Sequence, residues 1–363
     1  MNVLGLMSGT SMDGLDCCLC TVSIDKNYKF IYEIIDYHTY EYNANVVNKI
    51  DSLVGCESID KIKSFDLKLG KLFKDYCDAF LNGRSIDIIA SHGQTIIHEC
   101  GIKTVQIGNP QYMYDFFNVP IVYNFRQKDI KLGGTGAPLV PFLDWLLFKK
   151  MNKNIITINI GGISNLTYVT KDGIRDNVIG FDTGPGMSLI DEYVKHIFND
   201  IYDVDCKYSK NGKIDFEMLQ FLMDNTYIEK NPPKSTTRED FGKKYLFDLI
   251  DKFKELDKYN FLRTLVRFTS SCIFLNIKKY IGLNNFDSVV LSGGGAKHQI
   301  LVKDLKENLS NLQTIDSYNI SIDAKEAFLM AVMGYSCYNS IPNNMPSVTG
   351  ASGEHVYGQI YKR

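Results

Sequence analysis

Apolar and polar positions follow one another along the chain in a pattern that occurs twice. An apolar run that begins at Val3 leads into a polar turn, GTSMDG at residues 9–14, and a second apolar run continues to Ile24. The same succession surrounds Gly161 and Gly162, between residues 155 and 169. Short apolar runs separated by glycine and hydroxyl residues are typical of buried strands joined by tight turns. The pattern therefore predicts two lobes of related architecture.

Polar residues collect where further predicted strands end. The apolar run at residues 86–91 is followed by His92 and Gln94, and the run at residues 121–123 is followed by Asn124 and Arg126. In open α/β sheets ligands bind at this edge, so these four side chains are candidates for substrate contacts. Two alternatives stay open, because His92 can be a hydrogen-bonded structural histidine and Arg126 can belong to a structural ion pair.

A carboxylate has a comparable position in the second predicted lobe. The strand-like run at residues 178–182 ends in Asp182, which is followed by a Gly-Pro turn and by an amphipathic helix from Ser188. A carboxylate at a strand end can orient and deprotonate an attacking oxygen. The alternative is that Asp182 caps the helix that follows.

The glycine-rich turns suit a magnesium nucleotide. The first turn offers backbone N–H groups and hydroxyls to an anion, while Asp13 and Asp16 add carboxylates that suit a phosphate arriving with Mg²⁺. We expect Gly14 to have a positive φ in this turn. Three glycines at residues 293–295 follow a buried strand and let a base and ribose lie close to the backbone. An ordinary β-hairpin is the alternative for the first turn, since it uses the same residue types.

Composition narrows the class of partner. The chain has 363 residues, is 45% hydrophobic and 23% charged, and carries a formal net charge of −2. Without a block of Lys and Arg, binding to nucleic acid or to an anionic membrane surface is disfavoured. Nine cysteines, an odd number of which three (residues 17, 18 and 20) crowd one predicted strand, favour reduced thiols, and neither a basic leader nor an apolar run of membrane length is visible. We therefore expect a cytoplasmic protein that acts on a small molecule.

A Gly- and Pro-rich segment at residues 132–139 predicts the boundary between the lobes. So many glycines and prolines end any regular element and permit a hinge. We expect a first lobe at residues 1–130, rejoined by residues 346–363, and a second lobe at residues 131–345. Hinge motion is expected near residues 133–136.

A series of motifs along nearly the whole chain resembles anhydro-N-acetylmuramic acid kinases, which are sugar kinases of the hexokinase/actin-like superfamily. The motifs are GLMSGTSMDGLD from Gly5, SHGQT from Ser91, QIGNP from Gln106, GGTGAPLVP from Gly133, NIGGISNLT from Asn159, GFDTGPG from Gly180, PPKST from Pro232, LSGGG from Leu291, DAKEA from Asp323 and PSVTGA from Pro346. The chain departs from the usual family residues at Asn124, Thr135, Met187 and Thr237. These departures concern substrate contacts more than the reaction.

The resemblance implies an α/β, two-lobed hexokinase/actin-like fold, with duplicated lobes around a central cleft for ATP and substrate. It implies ATP and Mg²⁺ as cofactors and a small-molecule substrate, with no nucleic-acid or membrane partner, and it is compatible with a homodimer. The catalytic carboxylate of the family corresponds to Asp182. The expected binding residues are Gly9, Thr10, Ser11, Met12, Asp13, Gly14, Leu15, Asp16, Gly161, Gly162, Gly293, Gly294 and Gly295 for the nucleotide, Asp13 also for the metal, and His92, Gln94, Arg126 and Glu326 for the sugar.

The implied reaction opens an anhydro ring. A 1,6-anhydro sugar has no free hydroxyl on carbon 6, so water must attack carbon 1 while the bridge oxygen receives the γ-phosphoryl group of ATP. The product is N-acetylmuramic acid 6-phosphate, an intermediate of cell-wall recycling. Another sugar or small-acid kinase of the same fold, a metal-dependent hydrolase and a non-catalytic actin-like ATP-binding protein are the alternatives.

Overall fold

The computed structural model describes residues 1–9, 12, 14–236 and 240–362. It contains two compact units, one formed by residues 1–147 together with 323–363 (unit 1) and the other by residues 148–322 (unit 2). Each unit is a mixed α/β structure with a sheet and a hydrophobic core of its own. The α/β class predicted from the sequence is confirmed.

The strands, numbered in chain order, are β1 (Asn2–Ser8), β2 (Gly14–Ile24), β3 (Phe30–Glu41), β4 (Ile88–Glu99), β5 (Lys103–Ile107), β6 (Ile121–Tyr123), β7 (Ile155–Ile160), β8 (Ile163–Val169), β9 (Ile179–Pro185), β10 (Ser288–Ser292), β11 (Leu312–Thr314) and β12 (Gln359–Tyr361). The helices are α1 (Ala44–Asp51), α2 (Ile59–Leu81), α3 (Gln111–Phe117), α4 (Gln127–Lys131), α5 (Val140–Phe148), α6 (Ser188–Phe198), α7 (Phe216–Met223), α8 (Thr226–Glu229), α9 (Lys243–Lys252), α10 (Lys258–Tyr280), α11 (Gln299–Lys306), α12 (Lys325–Tyr338) and α13 (Pro346–Thr349).

The two sheets repeat one topology. In unit 1 the order is β3-β2-β1-β4-β6-β12, with β5 paired to β4, and in unit 2 it is β9-β8-β7-β10-β11. In both sheets the first three strands in the chain form an antiparallel meander. The next two strands of the shared order then run parallel to the first. Because five strands agree in order and direction, the duplicated architecture predicted from the sequence is confirmed.

Each sheet has a bulge in a strand that carries residues nominated for the site. On β4, Leu6 pairs with Ser91 but Ser8 pairs with Gln94, so β4 has an extra residue around His92 and Gly93. On β9 the shift between the partners of Ser164 and Asn165 leaves Thr183 as the extra residue. Such bulges bend the strand and redirect neighbouring side chains. One bulge lies at His92 and the other next to Asp182, two residues that the sequence nominated for the site.

Helix α12 is buried along most of its length in unit 1, although it follows the whole of unit 2 in the chain. It approaches the sheet so closely that a Cβ at Gly5 would overlap the carbonyl oxygen of Ala327, and one at Gly334 would overlap the side chain of Ala90. At its start Lys325 forms an ion pair of 2.8 Å with Asp144, and both side chains are buried. These contacts fix residues 323–363 as part of unit 1.

The units therefore divide the chain at positions that differ from the sequence expectation of 130 and 345. Residues 131–147 belong to unit 1 because the buried Asp129 carboxylate holds the Gly-rich segment. It accepts hydrogen bonds from the Gly136 N–H at 2.6 Å, from the Thr349 hydroxyl at 2.7 Å and from the Tyr357 hydroxyl at 2.7 Å. A segment tied in this way within one unit is a poor hinge, contrary to the expectation for residues 133–136.

Two further observations bear on expectations from composition. All nine cysteines are free. Among the helices of the described residues, none has the length and apolarity that a membrane crossing requires.

Candidate active site

The turn between β1 and β2 is described only in part, since Thr10, Ser11 and Asp13 lie outside the described residues. The left-handed residue in its described part is Met12, with φ 57°, and the Met12 N–H donates to the Gly9 carbonyl at 3.2 Å. Gly14 is not among the residues with positive φ, and a Cβ there would overlap the carbonyl oxygen of Tyr40. The expectation for Gly14 is wrong, because this glycine serves close strand packing.

The two residues that follow are regular members of β2. Leu15 is completely buried in the unit 1 core, so only its backbone remains for a ligand. Asp16 is half-buried, and its Oδ1 accepts a hydrogen bond of 2.6 Å from the Thr39 hydroxyl on β3. A carboxylate oriented by a neighbouring strand is the hard oxygen ligand that Mg²⁺ prefers.

Gln94 supports this turn from within the sheet. It is completely buried, and its Nε2 donates to the Gly9 carbonyl at 3.1 Å. Its Oε1 accepts a 2.6 Å hydrogen bond from the Ser8 hydroxyl, which is itself 2.8 Å from the Tyr42 hydroxyl. The side chain that the sequence nominated for the sugar is thus attached to the entry of the glycine turn.

His92 and Arg126 form one hydrogen-bonded unit. The His92 Nδ1 donates to the Gly93 carbonyl at 2.7 Å, and its Nε2 accepts from the Arg126 Nε at 2.9 Å. Burial, and then the positive charge of Arg126, lower the pKa of His92 to about 3. The ring is therefore neutral at physiological pH. A further hydrogen bond of 2.9 Å joins Arg126 Nη1 to the Gly136 carbonyl, which fixes the guanidinium plane.

A polar cavity of about 290 Å³ opens beside His92 within unit 1. Side chains from β4, from the β5–α3 connection and from the end of β6 line it, among them Ser91, His92, Gln106, Asn109 and Asn124. The Ser91 hydroxyl is buried and has no hydrogen-bond partner among the described residues. Of this set the sequence nominated His92 and Asn124 for the site, whereas Gln106 and Asn109 had no role beyond their motif.

Asp182 lies within β9 and is 6% exposed. One carboxylate oxygen, Oδ2, accepts a 3.0 Å hydrogen bond from the Thr236 N–H. The strand continues to Pro185, and α6 begins only at Ser188 with Met187 as its cap residue. A helix-capping role is therefore excluded, and the predicted strand end is a bulged strand interior.

The two glycine turns of unit 2 lie against each other. Gly293 has φ 79°, and a Cβ on it would lie 2.7 Å from the Ile160 carbonyl oxygen, at the end of β7 that leads into Gly161. The carbonyl of Gly162 accepts the N–H groups of Gly186 and Ser188, which ties the β7–β8 turn to the start of α6. A Cβ on Gly294 would meet no atom of the described part of the chain within 4 Å. The open space at Gly294 is the room that a flat ligand needs.

Glu326 lies in the first turn of α12 in unit 1 and is half-buried, next to the buried Lys325–Asp144 pair. The residues nominated for the sugar therefore belong to unit 1, and Asp182 belongs to unit 2.

Within the described part of the chain, three side chains of metal-ligating type come together at Asp203, Cys206 and His298. Their polar atoms are already engaged. The His298 Nδ1 accepts the Leu301 N–H at 3.2 Å, and its Nε2 lies 3.2 Å from Asp203 Oδ2. A thiol and an imidazole do not suit Mg²⁺. This cluster is therefore no site for Mg²⁺.

The comparisons with known proteins cover the full length. The family model for anhydro-N-acetylmuramic acid kinase matches residues 1–363. A protein of Clostridioides difficile (strain 630) named anhydro-N-acetylmuramic acid kinase is 39% identical, over 99% of this chain and 98% of that protein. A protein of Bacillus anthracis with the same name is 35% identical, over 99% of both chains.

Among solved structures, an activator of 2-hydroxyisocaproyl-CoA dehydratase from Clostridium difficile with bound ADPNP aligns with a TM-score of 0.45. The identity is 12%, with 93% of this chain and 95% of that chain covered, which is too distant a similarity to support an inference. The family match and the relatives agree in name and in extent. This chain belongs to the anhydro-N-acetylmuramic acid kinase family.

Proposed function

We propose that the protein converts 1,6-anhydro-N-acetylmuramic acid, ATP and water into N-acetylmuramic acid 6-phosphate and ADP, a step of cell-wall recycling. The observation that carries the proposal is the buried Asp182 on the bulged strand β9, whose carboxylate accepts a hydrogen bond from the Thr236 N–H. Full-length membership in the family supports the substrate. The free cysteines accord with action in the cytoplasm.

The proposed chemistry needs a base for water. Asp182 takes a proton from a water molecule as its oxygen attacks carbon 1, and the bond from carbon 1 to the bridge oxygen breaks. That oxygen, still on carbon 6, receives the γ-phosphoryl group. Because the Thr236 N–H holds one carboxylate oxygen, the orientation of the base is set before the sugar binds. A positioned base of this kind is typically worth about 10² to 10⁴ in rate.

The nucleotide is assigned to the glycine-rich turns. The open space at Gly294, beside Gly293 and the end of β7, suits a base and ribose. The β1–β2 turn, supported by Gln94, suits phosphates. Asp16, with Asp13, supplies the hard oxygen ligands that Mg²⁺ prefers. When bound, Mg²⁺ neutralises charge on the phosphates.

For the sugar we propose an anion contact at Arg126. A guanidinium whose plane is fixed by His92 and Gly136 can meet the lactyl carboxylate or a phosphate in a planar, bidentate manner. In this proposal His92 orients Arg126 and does not act as a base, since both of its ring nitrogens are engaged.

The decisive experiment combines substitution with isotope labelling. Asp182→Asn keeps an oxygen for the Thr236 N–H but removes the base, so the rate should fall by about 10² or more while both substrates still bind. For the wild type in ¹⁸O-water, the anomeric hydroxyl of the product should carry the label at times too short for spontaneous exchange. The oxygen between carbon 6 and phosphorus should stay unlabelled.

A panel of sugars with Mg-ATP serves as the control for specificity. Faster phosphorylation of a free sugar than of the anhydro sugar would show that the protein is an ordinary sugar kinase, which phosphorylates an existing hydroxyl. An active Asp182→Asn variant would show that Asp182 is not the base that activates water.

A further inference from the structure

A buried lysine in unit 2 has no part in the chemistry described so far. Lys234 is 6% exposed, and its ammonium donates a 3.1 Å hydrogen bond to the Ile228 carbonyl. The same ammonium lies 5.2 Å, 5.3 Å and 5.6 Å from the ring centroids of Tyr227, Tyr280 and Phe181, which we call the aromatic box. A desolvated cation over several rings is held by their negative faces.

The lysine and its box surround Asp182. Phe181 precedes Asp182 on β9, and the Tyr227 hydroxyl donates to the Asp182 carbonyl at 2.8 Å. The Lys234 carbonyl accepts the Asp182 N–H at 3.2 Å. Two residues further, the Thr236 N–H holds the Asp182 carboxylate. Residues 234–236 therefore contact both the backbone and the side chain of Asp182.

We propose that Lys234 is a positioning residue, whose cation in the aromatic box fixes residues 234–236 and thereby the direction of the Asp182 carboxylate. The inference rests on the proposed function only in taking Asp182 as the base. Displacement of a catalytic group by about 1 Å lowers a rate by about 10²-fold, so a loosened segment should reduce the chemical step. Substrate affinity should change little, because the Lys234 ammonium is buried against the Ile228 carbonyl and the aromatic box.

This arrangement carries a pH dependence. Burial, followed by the positive charge of Lys279, lowers the pKa of Lys234 to about 8. The other facing groups are Lys230, which also lowers the pKa, Cys272 and Asp182, which raise it, and the phenols of Tyr227 and Tyr280. Above this pH the amine becomes neutral and the rings lose their cation. The chemical step should therefore slow on the alkaline side.

The free energy of unfolding should rise over the pH range in which the rate falls. A lysine with a folded pKa of about 8 and an unfolded pKa of 10.5 binds more protons when unfolded, between those two values. The free energy of unfolding contributed by this group therefore rises with pH in that range. A loss of rate between about pH 8 and 9 cannot then be ascribed to unfolding through Lys234.

The test measures single-turnover rates of the wild type, Lys234→Met and Lys234→Arg from about pH 6.5 to 9.5. The wild-type rate should fall through about pH 8. Lys234→Met should be slower by about tenfold or more at neutral pH, without that alkaline fall and with nearly unchanged KM for both substrates. Lys234→Arg should restore most of the rate and keep it across the alkaline range, since arginine stays charged.

Lys279→Met is the companion variant. It keeps the three rings of the box but removes the positive charge that lowers the Lys234 pKa most, so the alkaline fall should move to higher pH at an unchanged plateau. It decides the question even if a Lys234 variant fails to fold. A wild-type rate that is flat through pH 9.5, a full rate in Lys234→Met, or a fall that stays in place in both Lys234→Arg and Lys279→Met would each overturn the proposal.

Failure of the proposed function is a separate result. If the anhydro sugar is not turned over, the same pH series with whichever sugar is phosphorylated still tests Lys234.

Discussion

At the scale of single residues, several polar side chains nominated for the site or buried near it form hydrogen bonds to other protein groups and position them. His92 is neutral because burial and Arg126 lower its pKa to about 3, and both of its nitrogens serve as hydrogen-bonding groups. Gln94 and Asp129 likewise hold glycine-rich segments. The sequence located His92 and Gln94 near the site. It could not show whether these side chains bind the substrate or position other residues of the protein.

His92 should make the protein sensitive to acid. A folded pKa of about 3 against the ordinary 6.5 means that stability is complete above pH 6.5 and is lost progressively as the pH falls toward 3. At pH 5 the loss from this group is about 2 kcal/mol. Urea unfolding at pH 7 and at pH 5 measures it. In His92→Gln the difference between the two pH values should shrink by that amount, and an unchanged difference would rule out His92 as the cause.

Lys234 shows why the most informative residues are hidden from a sequence. The aromatic box is assembled from β9, α8 and the last residue of α10, which are far apart in the chain. In the sequence the lysine belongs to an irregular polar loop, where a solvent-exposed position is the ordinary expectation. Only the packing of those elements removes it from water.

At the scale of elements, apolar periodicity located the strands and helices well but not their irregularities. The long helix expected from Tyr259 to Ile281 is α10 at Lys258–Tyr280, where Asp257 caps the first N–H groups. By contrast, β4 and β9 run past the ends expected at Ser91 and Asp182, because a bulge lets each strand continue. A bulge changes register by one residue, and the pairing partner that reveals it lies elsewhere in the chain.

Two glycine substitutions separate a packing glycine from a ligand-facing one. Gly294→Ala adds a Cβ into open space, so stability should stay unchanged while the KM for ATP rises by about tenfold, or about 1.4 kcal/mol. Gly5→Ala places its Cβ on the Ala327 carbonyl and should destabilise unit 1 by about 1–3 kcal/mol. Thermal unfolding and ATP kinetics of both variants provide the measurement. Normal ATP kinetics in a folded Gly294→Ala protein would show that adenosine does not bind at this turn.

At the scale of the whole molecule, the internal duplication was visible in the sequence and the division of the chain was visible only in part. The two hairpins, at residues 3–24 and 155–169, indicated the repeat directly. The extent of the returning segment was underestimated, because α12 is apolar nearly all round and its sequence does not reveal which core encloses it. Its contacts with Gly5 and Gly334 supply that information.

The division predicts different behaviour of the separated pieces. Residues 148–322 form an uninterrupted segment with a core of their own, and should fold cooperatively when expressed alone. Residues 1–147 lack α12 and should remain unfolded or aggregate until residues 323–363 are supplied on a second chain. Circular dichroism and urea titration of each piece, singly and mixed, provide the measurement. Cooperative unfolding of residues 1–147 alone would show that α12 is dispensable.

The burial of α12 also sets an order of events during translation. A ribosome completes all the strands of unit 2 before it makes the helix that covers the sheet begun by β1. Unit 2 can therefore reach its native state first. The strands of unit 1 that are made earlier keep an uncovered apolar face for more than half of the synthesis time. Nascent chains of this protein should depend on chaperones chiefly through their N-terminal part, although that part leaves the ribosome first.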